Sequence, residues 1–242
     1  MGRGPSIEGR KSVEDAKRAK VFTKLIREIT VATRAGVADP AANPRLRTAI
    51  DKALSANMTR DTIDRAVKRG SGADGGAEMH EMRYEGYGPA GIAFIIDCVT
   101  DNPVRTVADV RHALTKHGGN LGTSGSVAFQ FHRCGELVIA TAGDAALEEK
   151  ILEAALEAGA DDVVNEAGES SVLCAPDSFE AVQQALASAG LKTLRAEVVM
   201  RPANRVAIPA EAQETLLDLL DWLEELDDVH EIYHNAALPA EA

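Results

Sequence analysis

A chain of 242 residues is longer than one typical domain and predicts two or three. Hydrophobic content of 45% and charged content of 26% are those of an ordinary globular chain. The absence of a long apolar run or a signal-like start argues against a membrane span or secretion, so a cytoplasmic location is expected. Cys98, Cys134 and Cys174 are odd in number and far apart, which excludes a disulfide framework or a cysteine-rich zinc site.

The net charge of −12 is unevenly divided. Residues 1–70 hold 16 Lys and Arg against 8 Asp and Glu, while the remaining 172 hold 10 against 30. That split predicts a basic module that meets a polyanion, carried by a body that is repelled by one.

In chain order, the basic segment reads as three helices. From Asp15 to about Ala35, Phe22, Leu25, Ile26, Ile29 and Thr33 share an arc of about 100° at helical pitch. Lys17, Lys20, Lys24, Arg27 and Arg34 share a similar arc opposite. Gly36 and the turn-like VADPAANP end this helix. A second helix is expected with Asn43 as cap and Pro44 at its first position, and with Leu46, Ile50 and Leu54 every fourth residue. Thr59 caps a third, with Asp61 in its first turn, Ile63, Ala66 and Val67 inside and Gly70 at its end. The stretch GSGADGGAE at 70–78 has linker composition and marks a boundary.

Strands and helices then alternate. MRYEGYGPAGIAFIIDCVT at 82–100 reads as two strands around a Gly-Pro turn, followed by a helix with Val107, Val110 and Leu114 and by SVAFQFH as a third strand. ELVIAT, a helix at 145–158, the hairpin DVVNEAG and SSVLCAP, a helix at 178–189 and RAEVVMR give the βαββαβ order of a ferredoxin-like domain. An acidic amphipathic helix at 210–226 and the strand VHEIYH complete the chain's pattern. The expected class is α+β: an N-terminal three-helix domain (1–76), then two α/β domains. These are a middle one (79–134 plus 206–242) and a ferredoxin-like one (135–205) inserted into it.

Two stretches invite a chemical reading. His230-Glu231-Ile232-Tyr233-His234 matches the H-E-x-x-H of zinc metallopeptidases, in which a helix places both histidines on one face. Here Val229, Ile232 and Tyr233 favour a strand, on which the histidines would stand about 13 Å apart, so the peptidase is the remote alternative. The glycine-rich KHGGNLGTSGS at 116–126 follows a helix and precedes a strand, the reverse of a phosphate loop, and reads as a helix C-cap and connection. No local Ser/His/Asp set exists, and the acidic runs at 144–169 and 211–231 read as solvated helix faces. The chain is therefore expected to be no enzyme and to use no cofactor or metal.

The basic module carries the positive signal. Arg10, Lys11, Lys17, Lys20, Lys24, Arg27, Arg34, Arg45, Arg47, Lys52, Arg60, Arg65, Lys68 and Arg69 are the candidate nucleic-acid contacts, because such self-repulsion is relieved by a polyanion. Phe22 is the only aromatic there and faces inward, so phosphate contacts rather than base stacking are expected. The apolar face of the first helix is needed to pack the other two, which argues against a membrane-surface role.

AKVFTKLIREITVATRAG, DPAANPRLR, ANM, YEGYGPAGIA, RTVADVRHAL and GGNLGTSGSVAFQF together resemble the YebC/PmpR family, from about Lys11 onward. The resemblance implies a helical domain and two α/β domains, the last inserted in the middle one, with no catalytic residues. It further implies a transcriptional regulator that binds DNA, or alternatively a ribosome-associated translational activator that binds ribosomal RNA and aids elongation through sequences such as proline runs. Many members open with Gly-His-Ser-Lys-Trp, whereas this chain has MGRGPSIEGRKS, so no role of that His and Trp carries over. The expected partner is DNA or ribosomal RNA, with no membrane and no small-molecule substrate; a monomer suffices for this reading.

Overall fold

The computed structural model describes residues 7–73, 75 and 78–238, and side chains from Lys17 onward. The elements run α1 (Ile7–Ala35), α2 (Pro44–Ser55), α3 (Arg60–Gly70), β1 (His80–Tyr87), β2 (Ala93–Thr100), α4 (Pro103–Lys116) and β3 (Asn120–Leu121). Next come β4 (Phe131–Ala140), α5 (Ala145–Glu157), β5 (Asp162–Glu166), β6 (Glu169–Cys174), α6 (Phe179–Ser188) and β7 (Arg195–Pro202). The series ends with β8 (Val206–Ala207), α7 (Ala210–Glu225), β9 (Val229–His234) and β10 (Ala236–Ala237). The fold is α+β, as the sequence predicts, and forms two compact units.

The first unit comprises Met1–Pro89, Ile96–Thr123 and Glu214–Ile232. Its three N-terminal helices close on Ile29, Ala32, Leu46, Ala49, Ala53, Met58, Ile63 and Ala66, the stripe that helical periodicity selects. Gly70 belongs to α3 and serves for close approach: a Cβ there would lie 2.5 Å from the Thr30 carbonyl oxygen and 2.6 Å from the Thr33 Cβ. Asn43 joins two helices. Its Oδ1 accepts the Leu46 N–H at the start of α2, and its Nδ2 donates to the carbonyls of Ala32 (2.8 Å) and Val37 (2.9 Å) at the end of α1. Gly36 leaves room for that amide, since a Cβ there would stand 2.7 Å from Nδ2.

Asn43 is 6% exposed, so its loss strands a buried N–H and a buried carbonyl together. Asn43→Ala is expected to cost about 2 kcal/mol in urea unfolding, a lost N-cap plus an unsatisfied acceptor. Asn43→Asp keeps the cap alone and should recover about half.

The sheet that follows has the order β3-β1-β2-β9, so a strand more than a hundred residues downstream pairs with β2. The ferredoxin-like segment is thereby inserted in the chain between strands of one sheet. β2 is buried along almost its whole length, which explains its uninterrupted apolar run. After α4, Gly118 takes φ +76, the left-handed conformation expected of a helix stop.

The second unit comprises Ala90–Ile95, Ser124–Gln213 and Tyr233–Ala242. Its main sheet has the order β5-β6-β4-β7 with every neighbouring pair antiparallel, the ferredoxin-like arrangement. Leu137, Ile139, Val172 and Cys174 from the sheet meet Ile151, Ala155, Val182 and Leu186 from α5 and α6. β5 and β6 turn through Ala167 (φ 50) and Gly168 (φ 80), two consecutive left-handed residues that suit the right-handed twist of a two-residue hairpin. β8 and β10 form a short parallel pair.

One expected strand is displaced. SVAFQFH does not form a strand of the first sheet: Gln130 N–H bonds the Val127 carbonyl in a tight turn, and Phe131 begins the long strand β4. The alternation does not survive in burial: Val127 and Phe129 would share one face of a strand, yet Val127 is buried and Phe129 is 77% exposed, because the backbone turns between them. The edge of the first sheet beside β1 is formed by the two residues of β3 instead. Among the described residues, no helix is long and apolar enough to cross a membrane.

Candidate nucleic-acid interface

The structure sorts the predicted basic residues into two groups. The first is exposed on the helical layer: Lys17 and Arg34 on α1, Arg47 and Lys52 on α2, and Arg60, Arg65, Lys68 and Arg69 on α3. Arg65, Lys68 and Arg69 fall within an arc of about 100° at helical pitch, away from the buried Ile63 and Ala66. Asp39, Asp51, Asp61 and Asp64 are interspersed, and Arg65 pairs with Asp61 one turn away at 2.9 Å. Both partners are well exposed, so that pair contributes no more than about 1 kcal/mol and yields readily to a phosphate. Arg10 and Lys11 lie on α1, but their side chains are outside the described ones.

The second group is held by the protein itself. Lys20 pairs with Glu225, and Lys24 Nζ donates to the Glu224 carbonyl at 2.9 Å. Arg27 Nη1 donates to Asp228 Oδ1 (2.6 Å) and to the carbonyls of Asp227 (2.7 Å) and Val99 (3.1 Å). Asp228 also accepts from Arg105 Nη2 (2.8 Å) and Thr106 Oγ1 (2.8 Å) at the start of α4. Lys20, Arg27, Arg105, Glu225 and Asp228 line an open cleft of about 410 Å³, with Asp101 and Asp109 on its wall.

Burial alone would raise the Asp228 carboxyl, but the bonds from Arg105, Thr106 and Arg27 hold it below the ordinary range. At Lys24 burial wins instead: it lowers the ammonium against the opposing pull of Glu224, Glu231 and Asp227. The acidic stretch 224–228 is thus only partly the solvated face that its sequence suggests. Asp228 is 6% exposed and ties α1 to α4. Helical periodicity ends at α7 and gives no signal for that anchor.

Arg45 is engaged separately. Its Nε and Nη2 bind the two Glu28 oxygens at 2.7 and 3.1 Å, and Nη2 also reaches Glu81 at 2.6 Å. Burial works against the guanidinium charge, but these carboxylates outweigh it and raise the group; reciprocally, Arg45 overcomes the effect of burial on Glu28 and lowers it. His230 lies beside Glu28, Nε2 to Oε2 3.5 Å, and its buried Nδ1 has no hydrogen-bond partner among the described residues.

Burial pushes the His230 imidazole below the ordinary value of about 6.5, with Glu28 opposing, and burial lowers His234 likewise. The unfolded chain therefore binds these protons more tightly than the folded one, and stability falls as pH drops below about 6.5. Asp228 and Glu28, held low, keep their contribution until more acidic pH, so the window from about 6.5 to 5 isolates the histidines. Urea midpoints are expected to decline across that window in the parent protein and to flatten in His230→Gln/His234→Gln.

The remaining motifs resolve structurally. His230-Glu231-Ile232-Tyr233-His234 lies on strand β9, where His230 meets Glu28 and the His234 ring packs 5.8 Å from that of Phe94. Among the described residues, no group of three or more His, Cys, Asp or Glu is disposed to hold a metal ion. All three cysteines are buried, and burial first, then Asp228 and Asp97, push the Cys98 thiol up to about 12. Phe22 is half-buried with the Arg18 guanidinium 5.2 Å over its ring.

Residues 4–73 match the TACO1/YebC protein N-terminal domain, and residues 79–236 match the TACO1/YebC second and third domain. A probable transcriptional regulatory protein of Xanthomonas campestris pv. campestris (strain B100) is 57% identical over 237 residues, covering 97% of each chain. Another of that name from Stenotrophomonas maltophilia is 54% identical over 244 residues, covering 100% of this chain and 99% of the relative. The crystal structure of a conserved hypothetical protein from Aquifex aeolicus superposes with a TM-score of 0.83 at 42% identity, over 94% of this chain and 93% of that one.

Proposed function

Since the chain belongs to the TACO1/YebC family, we propose that it is a nucleic-acid-binding regulator of gene expression that acts in the cytoplasm without catalysis. The observation that carries this reading is the exposed set on the helical layer: Arg34, Arg47, Lys52, Arg60, Arg65, Lys68 and Arg69 project from three packed helices. Their role is phosphate contact, because the one aromatic of the layer, Phe22, is half-buried and covered by Arg18. α2 and α3 are joined by residues 56–59, with Asn57 at φ 62, the connectivity of a helix-turn-helix pair. On that reading α3 faces duplex DNA, in keeping with the regulatory names of the relatives. Ultraviolet crosslinking in cells, followed by sequencing of the bound nucleic acid, tests it. Enrichment of promoter DNA is the expected result; enrichment of ribosomal RNA transfers the role to the ribosome, and recovery of neither overturns the reading.

A further inference from the structure

Building on the nucleic-acid reading, we propose that the acidic corner Glu224–Asp227 is an internal stand-in for phosphate on α1. It covers Lys20 and Lys24 in the free protein and gives way when a polyanion competes for them. Lys17, Lys20 and Lys24 occupy one face of α1 over about 10 Å, a length that spans about six backbone charges of duplex DNA. The corner offers this face the Glu225 carboxylate and the Glu224 carbonyl, with the Asp227 charge close behind. No part of the basic helix needs these partners for its own formation, which rests on the apolar stripe at Ile29 and Ala32.

The contact has two layers of different strength. Inside, Arg27 and Asp228 have side chains 17% and 8% exposed, and Arg105 and Thr106 brace the same carboxylate. That layer is a fixed pin. Outside, Lys20 and Glu225 are 35% and 65% exposed, and Glu224 and Asp227 are open to water. Exposed pairs of this kind are weak and screened by salt. A nucleic-acid backbone offers the same lysines a denser row of charge and releases condensed counterions as it binds. Exchange at the outer layer is therefore favoured at close range, while the pin keeps α1 in place. Sequence alone assigned all of this face to nucleic acid; the geometry adds a competitor that must be displaced first.

The test neutralises the corner in the full chain as Glu224→Gln/Glu225→Gln/Asp227→Asn and titrates it with a random 20-base-pair DNA duplex and an RNA hairpin of equal length. Affinity for the preferred probe is expected to rise about tenfold at 0.15 M salt, and the slope of log K against log salt to steepen by about 1.8, the share of two added phosphate contacts. Adding Lys20→Gln/Lys24→Gln should cancel both gains. A control with equal charge change, Glu149→Gln/Glu153→Gln/Glu157→Gln on α5, should show less than a third of the gain. If that control gains as much, or if the gain survives removal of the two lysines, bulk charge explains it and the internal competitor is overturned. If the parent and every variant bind neither probe, the nucleic-acid reading fails and the competitor with it.

Discussion

Asp228→Ala is expected to destabilise the protein by about 3 kcal/mol, lowering the urea midpoint by about 1 M. The carboxylate is 8% exposed and accepts from two guanidinium groups and a hydroxyl drawn from α1 and α4. Removing it leaves Arg27, itself 17% exposed, with only the Val99 and Asp227 carbonyls, and takes an acceptor from the buried Thr106. The cost of breaking a buried pair comes from the uncompensated charge left behind. It stays at the low end of the usual range because Arg105, 46% exposed, can rehydrate. Asp228→Asn keeps one carbonyl acceptor and should lose about half as much. A loss below about 1 kcal/mol for the alanine variant would put the pair in the class of exposed ion pairs and contradict its burial.

The second large effect concerns binding. Arg65→Gln/Lys68→Gln/Arg69→Gln is expected to weaken duplex binding about a hundredfold at 0.15 M salt, and to reduce the salt slope by about 2.7, three contacts at roughly 0.9 each. Stability should move little, because all three side chains are exposed and the Arg65–Asp61 pair is a surface pair. The discriminating signature is the slope. A drop in affinity at constant slope would mean that the substitutions act through shape, and the phosphate role of α3 would be abandoned.

Where one residue type dictates one local geometry, the sequence was readable in detail. Asn43 with Pro44, and Thr59, start α2 and α3 as caps should. The β-branched and aromatic content of Val229, Ile232 and Tyr233 made β9 a strand in spite of its peptidase-like spelling. Period-2 alternation misled at 126–132, since Val127 and Phe129 satisfy it while the backbone turns. The larger gap lay in the partners of charge. A basic helix face shows that an anion is wanted, and Lys20, Lys24 and Arg27 wanted one; nothing in the pattern says that residues about 200 positions away supply it. Gly70 was read as a stop by its place in sequence, whereas its missing side chain lets α3 touch α1.

That separation sets an order of events during synthesis. Arg27 and Asp228 are 201 residues apart, so at 5–20 residues per second about 10–40 s pass between their additions to the growing chain. The three helices can bury their shared core long before then, because every residue of that core lies between Ile29 and Ala66. β2 waits about two-thirds as long for β9, which arrives on the same late segment. For that interval a nascent chain carries its cations uncovered beside an RNA-rich machine, and the acidic corner is the last piece able to cover them.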